Sequence, residues 1–150
     1  MANMTDQNRV NAIIQALFTS STSFTITPGT GGGSAFTVTP PFHLRLMTTQ
    51  GSNTSNGTEL SGTLGYTTGG SSLGTTFCAA PSSGSMTNSN SVSWNATGTW
   101  STVTSIEIWD TAGTPLRWLQ GALTSSITGV VNGDTVQFAA ASITVNASAW

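Results

Sequence analysis

Glu59, in NTSNGTELSGTLGYTTGG (residues 53–70), and Glu107, in VTSIEIWD (103–110), are the glutamates of a chain with only five acidic and three basic side chains. Two carboxylates across a cleft could protonate a glycosidic oxygen and activate water or trap the sugar, so this pair is the first candidate for chemistry. The three aspartates have local explanations. Asp6 suits the positive end of a helix dipole. Asp110 before TAG and Asp134 in VNGDT occupy turns where Asx side chains bond the backbone that follows. Glu107 points opposite Ile106 and Ile108, toward solvent or a neighbour. Glu59 has no base, metal group or second carboxylate that can be placed beside it, and so reads as a loop anchor. A carboxylate in a loop dense with N–H groups accepts several of them and fixes its path. Gly57, Gly62 and Gly65 then provide the turns, and Tyr66 begins the next strand.

Other routes to chemistry fail on their parts. His43 is the single histidine, and it lies in an alternating strand with no assignable nucleophile to serve. Cys78, in TTFCAA, has the setting of a small buried hydrophobe. One cysteine makes no internal disulfide and no zinc site. GTGGG (29–33) shares only its glycine content with a phosphate cradle, lacking GK[ST] and a following helix. N-x-S/T sequons at Asn53, Asn56, Asn95 and Asn146 arise readily in a chain this rich in Asn, Ser and Thr. No catalytic residue, cofactor or metal is assigned, and the reading is not an enzyme.

The elements that must position these residues follow from composition and period. The 150 residues fit a single domain. Charged side chains make up 5% of the chain, against roughly a quarter in an average soluble domain. A net charge of −2 without a basic cluster gives nothing to grip a phosphate backbone or an anionic membrane. MANMTDQNRVNAIIQALF lacks the pattern of a signal peptide, and no run of 18 apolar residues exists. Thr5 can cap a helix within residues 1–20 whose stripe is Val10, Ile13, Ile14 and Leu17. FTIT (24–27) and FTVT (36–39) flank PGTGGGSA as a hairpin arm spanning 21–41. FHLRLMTT (42–49) sets Phe42, Leu44 and Leu46 on one face and His43, Arg45 and Met47 on the other, a half-buried strand. Further β-type runs separated by turn residues predict an all-β, antiparallel β-sandwich, jelly-roll or Ig-like, with one short N-terminal α-helix.

Alternation also bears on the tryptophans. If Ile106 and Ile108 are core, Trp109 lies outside it. Trp118 beside Arg117, and Trp150, extend this exposed aromatic set, and Trp and Arg are enriched at protein interfaces. The same rings could cover a second sheet within the subunit, or form a glycan-binding face.

Several motifs in order carry a resemblance. LRLMTTQGSNTSNGTELSGTLGYTTGG followed by WSTVTSIEIWDTAGTPLRWLQGALTSSITGVVNGDTVQFAAASITV resembles a family of small tailed-bacteriophage virion proteins, labelled tail fibre, minor tail or head decoration proteins. It covers residues 42 to 147. Where the family commonly has GGGYAR, this chain has SGTLGYTT and lacks the arginine, and residues 20–41 look like an added arm. The resemblance implies a structural assembly role. The reading carried forward is a capsid decoration protein on the virion surface, assembled in the host cytoplasm. Its partners are further copies, as a trimer, and the major capsid protein, with no nucleic acid or membrane. Trp109, Trp118, Trp150 and Arg117 are the expected partner contacts and Glu59 the loop anchor. The alternatives are a tail fibre or minor tail protein, and a receptor- or glycan-binding module.

Overall fold

The structure, a computed structural model, describes residues 15–18, 22–26, 35–74, 78 and 85–146. The chain is an antiparallel β-sandwich with a short helical segment near its start. Residues 15–18 are helical. The expected cap at Thr5 and the stripe residues Val10, Ile13 and Ile14 lie outside the described residues. Leu17 is half-buried, and the next residue, Phe18, is buried against Phe42 with ring centroids 5.1 Å apart. The buried ring is thus one position beyond the stripe read from the sequence. β1 (Phe24–Ile26) and β2 (Phe36–Val38) pair antiparallel, Phe24 opposite Val38, and Val38 is completely buried.

The largest sheet is built on β3 (His43–Thr49) and β8 (Val103–Trp109). These seven-residue strands pair with His43 opposite Trp109, Leu44 opposite Ile108, Arg45 opposite Glu107 and Leu46 opposite Ile106. β9 (Arg117–Ile127) follows β8 on one side; β4 (Thr58–Glu59) and β5 (Ser71–Ser72) pair with the two ends of β3 on the other. Because successive side chains alternate, Leu44, Leu46 and Ile108 share one face. His43, Arg45, Met47, Ser105, Glu107 and Trp109 share the opposite one.

The apolar face is closed by two ribbons. β6 (Ser85–Thr87) pairs with β11 (Thr144–Asn146), and β7 (Val92–Asn95) pairs with β10 (Thr135–Phe138). Met86, Val92, Trp94, Val136 and Val145 join Leu44, Leu46 and Ile108 in one buried cluster. Each fully buried aliphatic side chain contributes about 1.5–3 kcal/mol by leaving water. Asn88, almost inaccessible, joins the ribbons by donating to the Asn90 and Ala139 carbonyls at 2.8 Å each and accepting from the Ile143 N–H at 2.8 Å.

Two expectations change here. Tyr66 begins no strand; it lies in the loop after β4, buried, with its ring about 6 Å from those of Trp94 and Trp100. And β3 is covered on both sides rather than half-buried, since Met47, opposite the apolar face, is also buried.

Candidate functional site

The sheet face away from the core collects half of the chain's charged side chains. It holds both glutamates, the single histidine and two of the three arginines; the third, Arg9, lies outside the described residues. The cause is topological. β3, β8 and β9 are adjacent, and Met47 pairs with Glu59 while Trp109 pairs with Arg117, so residues far apart in sequence meet.

Glu59 is held from three directions. Its Oε1 accepts from the Tyr66 hydroxyl at 2.6 Å and the Gly69 N–H at 2.7 Å, and its Oε2 lies 3.5 Å from Arg45 Nη1. The Tyr66 oxygen in turn accepts from the Leu46 N–H at 3.2 Å. Burial, and then the bond to Glu59, pushes the Tyr66 phenol well above its usual range. His43 Nδ1 lies 3.0 Å from the Gly69 carbonyl, tying the same loop to the start of β3. These contacts have the geometry of an anchor. Glu59 joins its own strand to the 66–70 loop and to β3.

Glu107 does not point to solvent. It is completely buried, because the 50–57 loop folds back over this face, which strand alternation alone does not reveal. Its Oε1 accepts from Arg117 Nη1 at 2.9 Å and the Gly57 N–H at 3.0 Å, and its Oε2 accepts from Trp109 Nε1 at 2.9 Å. Arg117 also donates to the Ser55 carbonyl at 2.8 Å and to the Ser52 carbonyl. Gly51 and Gly57 make this approach possible: a Cβ on Gly51 would stand 2.6 Å from Glu107 Oε1, and one on Gly57 would stand 2.3 Å from the Thr49 carbonyl oxygen. The tip, Ser52 to Asn56, is exposed.

The two carboxylates therefore share a face but are separately engaged. Arg45 stands opposite Glu107 in the ladder while it pairs with Glu59. Its guanidinium lies 4.2 Å from the centre of the Trp109 ring, a cation–π contact worth about 0.5–2 kcal/mol. Three buried polar atoms without a hydrogen-bond partner among the described residues, Arg45 Nε, Ser105 Oγ and Gln120 Oε1, also belong to these strands. Cavities of about 70 and 330 Å³ lie elsewhere, lined by Ile106, Gly121, Ile143 and Thr144.

The expected partner residues are placed differently from a row of exposed rings. Trp109 is outside the apolar cluster, as alternation requires, yet buried beneath Arg45. Trp118 is half-buried, packed edge-on to Phe42 at 6.3 Å and donating to Asp110 Oδ2 at 3.2 Å. Arg117 is spent on Glu107 and the loop carbonyls. Trp150 lies outside the described residues. Asp110 accepts from the Leu116 N–H at 2.7 Å, in keeping with its turn. Asp134 bonds backward to the Val131 N–H at 2.8 Å rather than to backbone that follows. Cys78 is buried, its thiol pushed up to about 12 by desolvation. No cluster of three metal-ligating side chains occurs among the described residues, and none of their helices is long and apolar enough to cross a membrane.

The sequence reading missed the Glu107–Arg117 pair. A signal for it was present: a hairpin of 103–109 with 117–127 necessarily brings Arg117 close to Glu107. Tyr66 as the partner of Glu59 had no such signal, because a loop and not a ladder brings them together.

The family model described as podophage GP4 fiber I protein gp80 matches residues 18–146. No curated protein and no solved structure matches the chain.

Proposed function

The chain belongs to this podophage fibre family, a family of phage virion structural proteins, and on that premise we propose that it is a fibre subunit whose charged face stiffens the loops it presents to neighbouring subunits. The observation that carries this reading is the use of every carboxylate oxygen on that face. All four are engaged by the chain's own groups, and Glu107 has no exposure at all. Such an arrangement fixes loops, as an assembling part requires, and leaves no carboxylate free to meet a substrate. Assembly as a homo-oligomer, a trimer by the sequence expectation, belongs to this proposal, with half-buried Trp118 the candidate contact from the expected aromatic set.

Decoration of the capsid shell is the finer alternative within the same structural class, with the major capsid protein as partner. The family's fibre description favours the fibre. Immunogold labelling of intact virions against this chain decides between them: label on fibres is expected, label confined to the shell would establish decoration instead, and unlabelled virions would sink both.

A further inference from the structure

The exposed tip of the 50–57 loop ends in Asn56, and Gly57 follows it. This dipeptide has chemistry of its own. The backbone nitrogen that follows an asparagine can attack the side-chain carbonyl carbon, and glycine, with no Cβ, leaves that approach open. A new N–Cγ bond forms and the bond from Cγ to the side-chain nitrogen breaks. The proton lost by the backbone nitrogen departs with the side-chain nitrogen as ammonia. Water then opens the resulting succinimide at either carbonyl, so that asparagine and water become ammonia and an aspartate or isoaspartate residue. Glycine cannot be exchanged for a slower neighbour here, because a Cβ at position 57 would stand 2.3 Å from the Thr49 carbonyl oxygen.

At Asn56 the reaction meets a specific obstacle. The Gly57 N–H donates to Glu107 Oε1 at 3.0 Å, and the Ser55 carbonyl, on the other side of Asn56, accepts from Arg117 Nη1 at 2.8 Å. Glu107 and Arg117 are themselves joined at 2.9 Å. One ion pair thus holds the peptide groups before and after Asn56, which must turn relative to each other to bring the nitrogen onto Cγ. The carboxylate also opposes loss of the Gly57 proton. Its charge strengthens the N–H bond it accepts, and it would repel the negative charge gained by the nitrogen.

We propose that Asn56–Gly57 is a self-modification site, which the Glu107–Arg117 pair keeps closed while the loop is seated and which opens when the loop lifts. Conversion then marks the loop permanently. Isoaspartate adds a methylene to the main chain between the two held peptide groups, and either product adds a negative charge to a tip that has none. The site stands whether or not the chain is a fibre subunit. A second dipeptide of the same kind, Asn132–Gly133, is an internal reference. Asn132 is also exposed, but the Gly133 N–H donates to the Ala96 carbonyl at 2.9 Å, a bond in which Glu107 has no part.

The full chain, held at mildly alkaline pH and mapped by pepsin digestion and mass spectrometry, tests this. Conversion at Asn56 is expected to be about tenfold slower, or more, in the folded parent than in the parent unfolded in urea, as a hydrogen bond to a charged acceptor allows. Replacing the pair together, Glu107→Leu with Arg117→Met, should remove most of that protection at Asn56 and leave Asn132 at its parent rate. Gly51→Ala should do the same without removing a charge, since its Cβ would stand 2.6 Å from Glu107 Oε1 and 2.7 Å from the Gly57 nitrogen. Equal rates at Asn56 in the folded and unfolded parent overturn the proposal, as does a double variant that converts at the parent rate. A double variant that converts more slowly would make Glu107 the base that takes the Gly57 proton, and also overturns it. Asn132 accelerating in step with Asn56 in both variants would mean that opening of the whole chain gates the two sites alike, which overturns it too.

Discussion

Glu59 and Glu107 bring the same functional group into different surroundings, and the difference fixes what each substitution should do. Glu107 is completely buried against Arg117. Removing one member of such a pair strands a charge in the interior, at a cost of about 3–5 kcal/mol. Arg117→Met should therefore lower unfolding free energy in urea by that amount, and adding Glu107→Leu should restore much of it. Glu59 is less enclosed, and its bond to Arg45 is long. Its value lies in the two short bonds from Tyr66 and Gly69, so Glu59→Gln should cost about 1–3 kcal/mol; unchanged stability would remove its role as anchor. Tyr66 adds a pH dependence with a definite sign. Its phenol is raised in the fold, so below pH about 10 both states hold the proton and the contribution is complete. Above that, the unfolded chain releases a proton that the folded chain keeps, and stability falls as pH rises. Cys78, raised from 9.0 to about 12, acts in the same direction from about pH 9. Urea titrations between pH 8 and 11 should show this decline, with Tyr66→Phe retaining only the thiol's share.

At the scale of elements, the strands were legible and the covering loops were not. The alternation of FHLRLMTT and SIEIW assigned side chains to the correct faces, and the register bears this out: Arg45 stands opposite Glu107 and Leu44 opposite Ile108. What lies over each face depends on where intervening loops return, and strand period carries no information on that. Hence Glu107 and Trp109, read as outward, are buried under Arg45, Arg117 and the 50–57 loop. Glu59, expected as a loop carboxylate taking up several backbone N–H groups, instead ends β4 and takes one, from Gly69, with the Tyr66 hydroxyl and Arg45 as its other partners. The loop's dependence on its glycines is testable. A Cβ at Gly51 would come within 2.7 Å of the Gly57 backbone nitrogen as well as meeting Glu107. Gly51→Ala should thus lose about 1–3 kcal/mol from overpacking, and residues 52–56 should be cut faster under limited proteolysis. Cleavage at the parent rate would mean that the loop finds another path.

Over the whole molecule, a chain with 5% charged residues turns most of those among the described residues away from solvent, Asp134 being the exposed one. Arg45, Arg117, Glu59 and Glu107 are paired with one another beneath loops, and exposed positions fall largely to Ser, Thr, Asn and Gly. β3 consequently has the apolar cluster on one side and the charged face on the other. Tyr66 belongs to both, its ring among Trp94 and Trp100 and its hydroxyl on Glu59. Two layers sharing a strand and a bridging side chain should not melt separately. Tryptophan fluorescence samples both sides, since Trp94 and Trp100 lie in the apolar cluster and Trp109 on the charged face, while far-UV circular dichroism follows the strands. The two thermal unfolding curves should superimpose in the parent, and Glu59→Gln should shift both to the same lower midpoint. A fluorescence change that precedes the dichroism in that variant would show the charged face opening by itself, and the stiffening assigned to it would then be confined to its own loops.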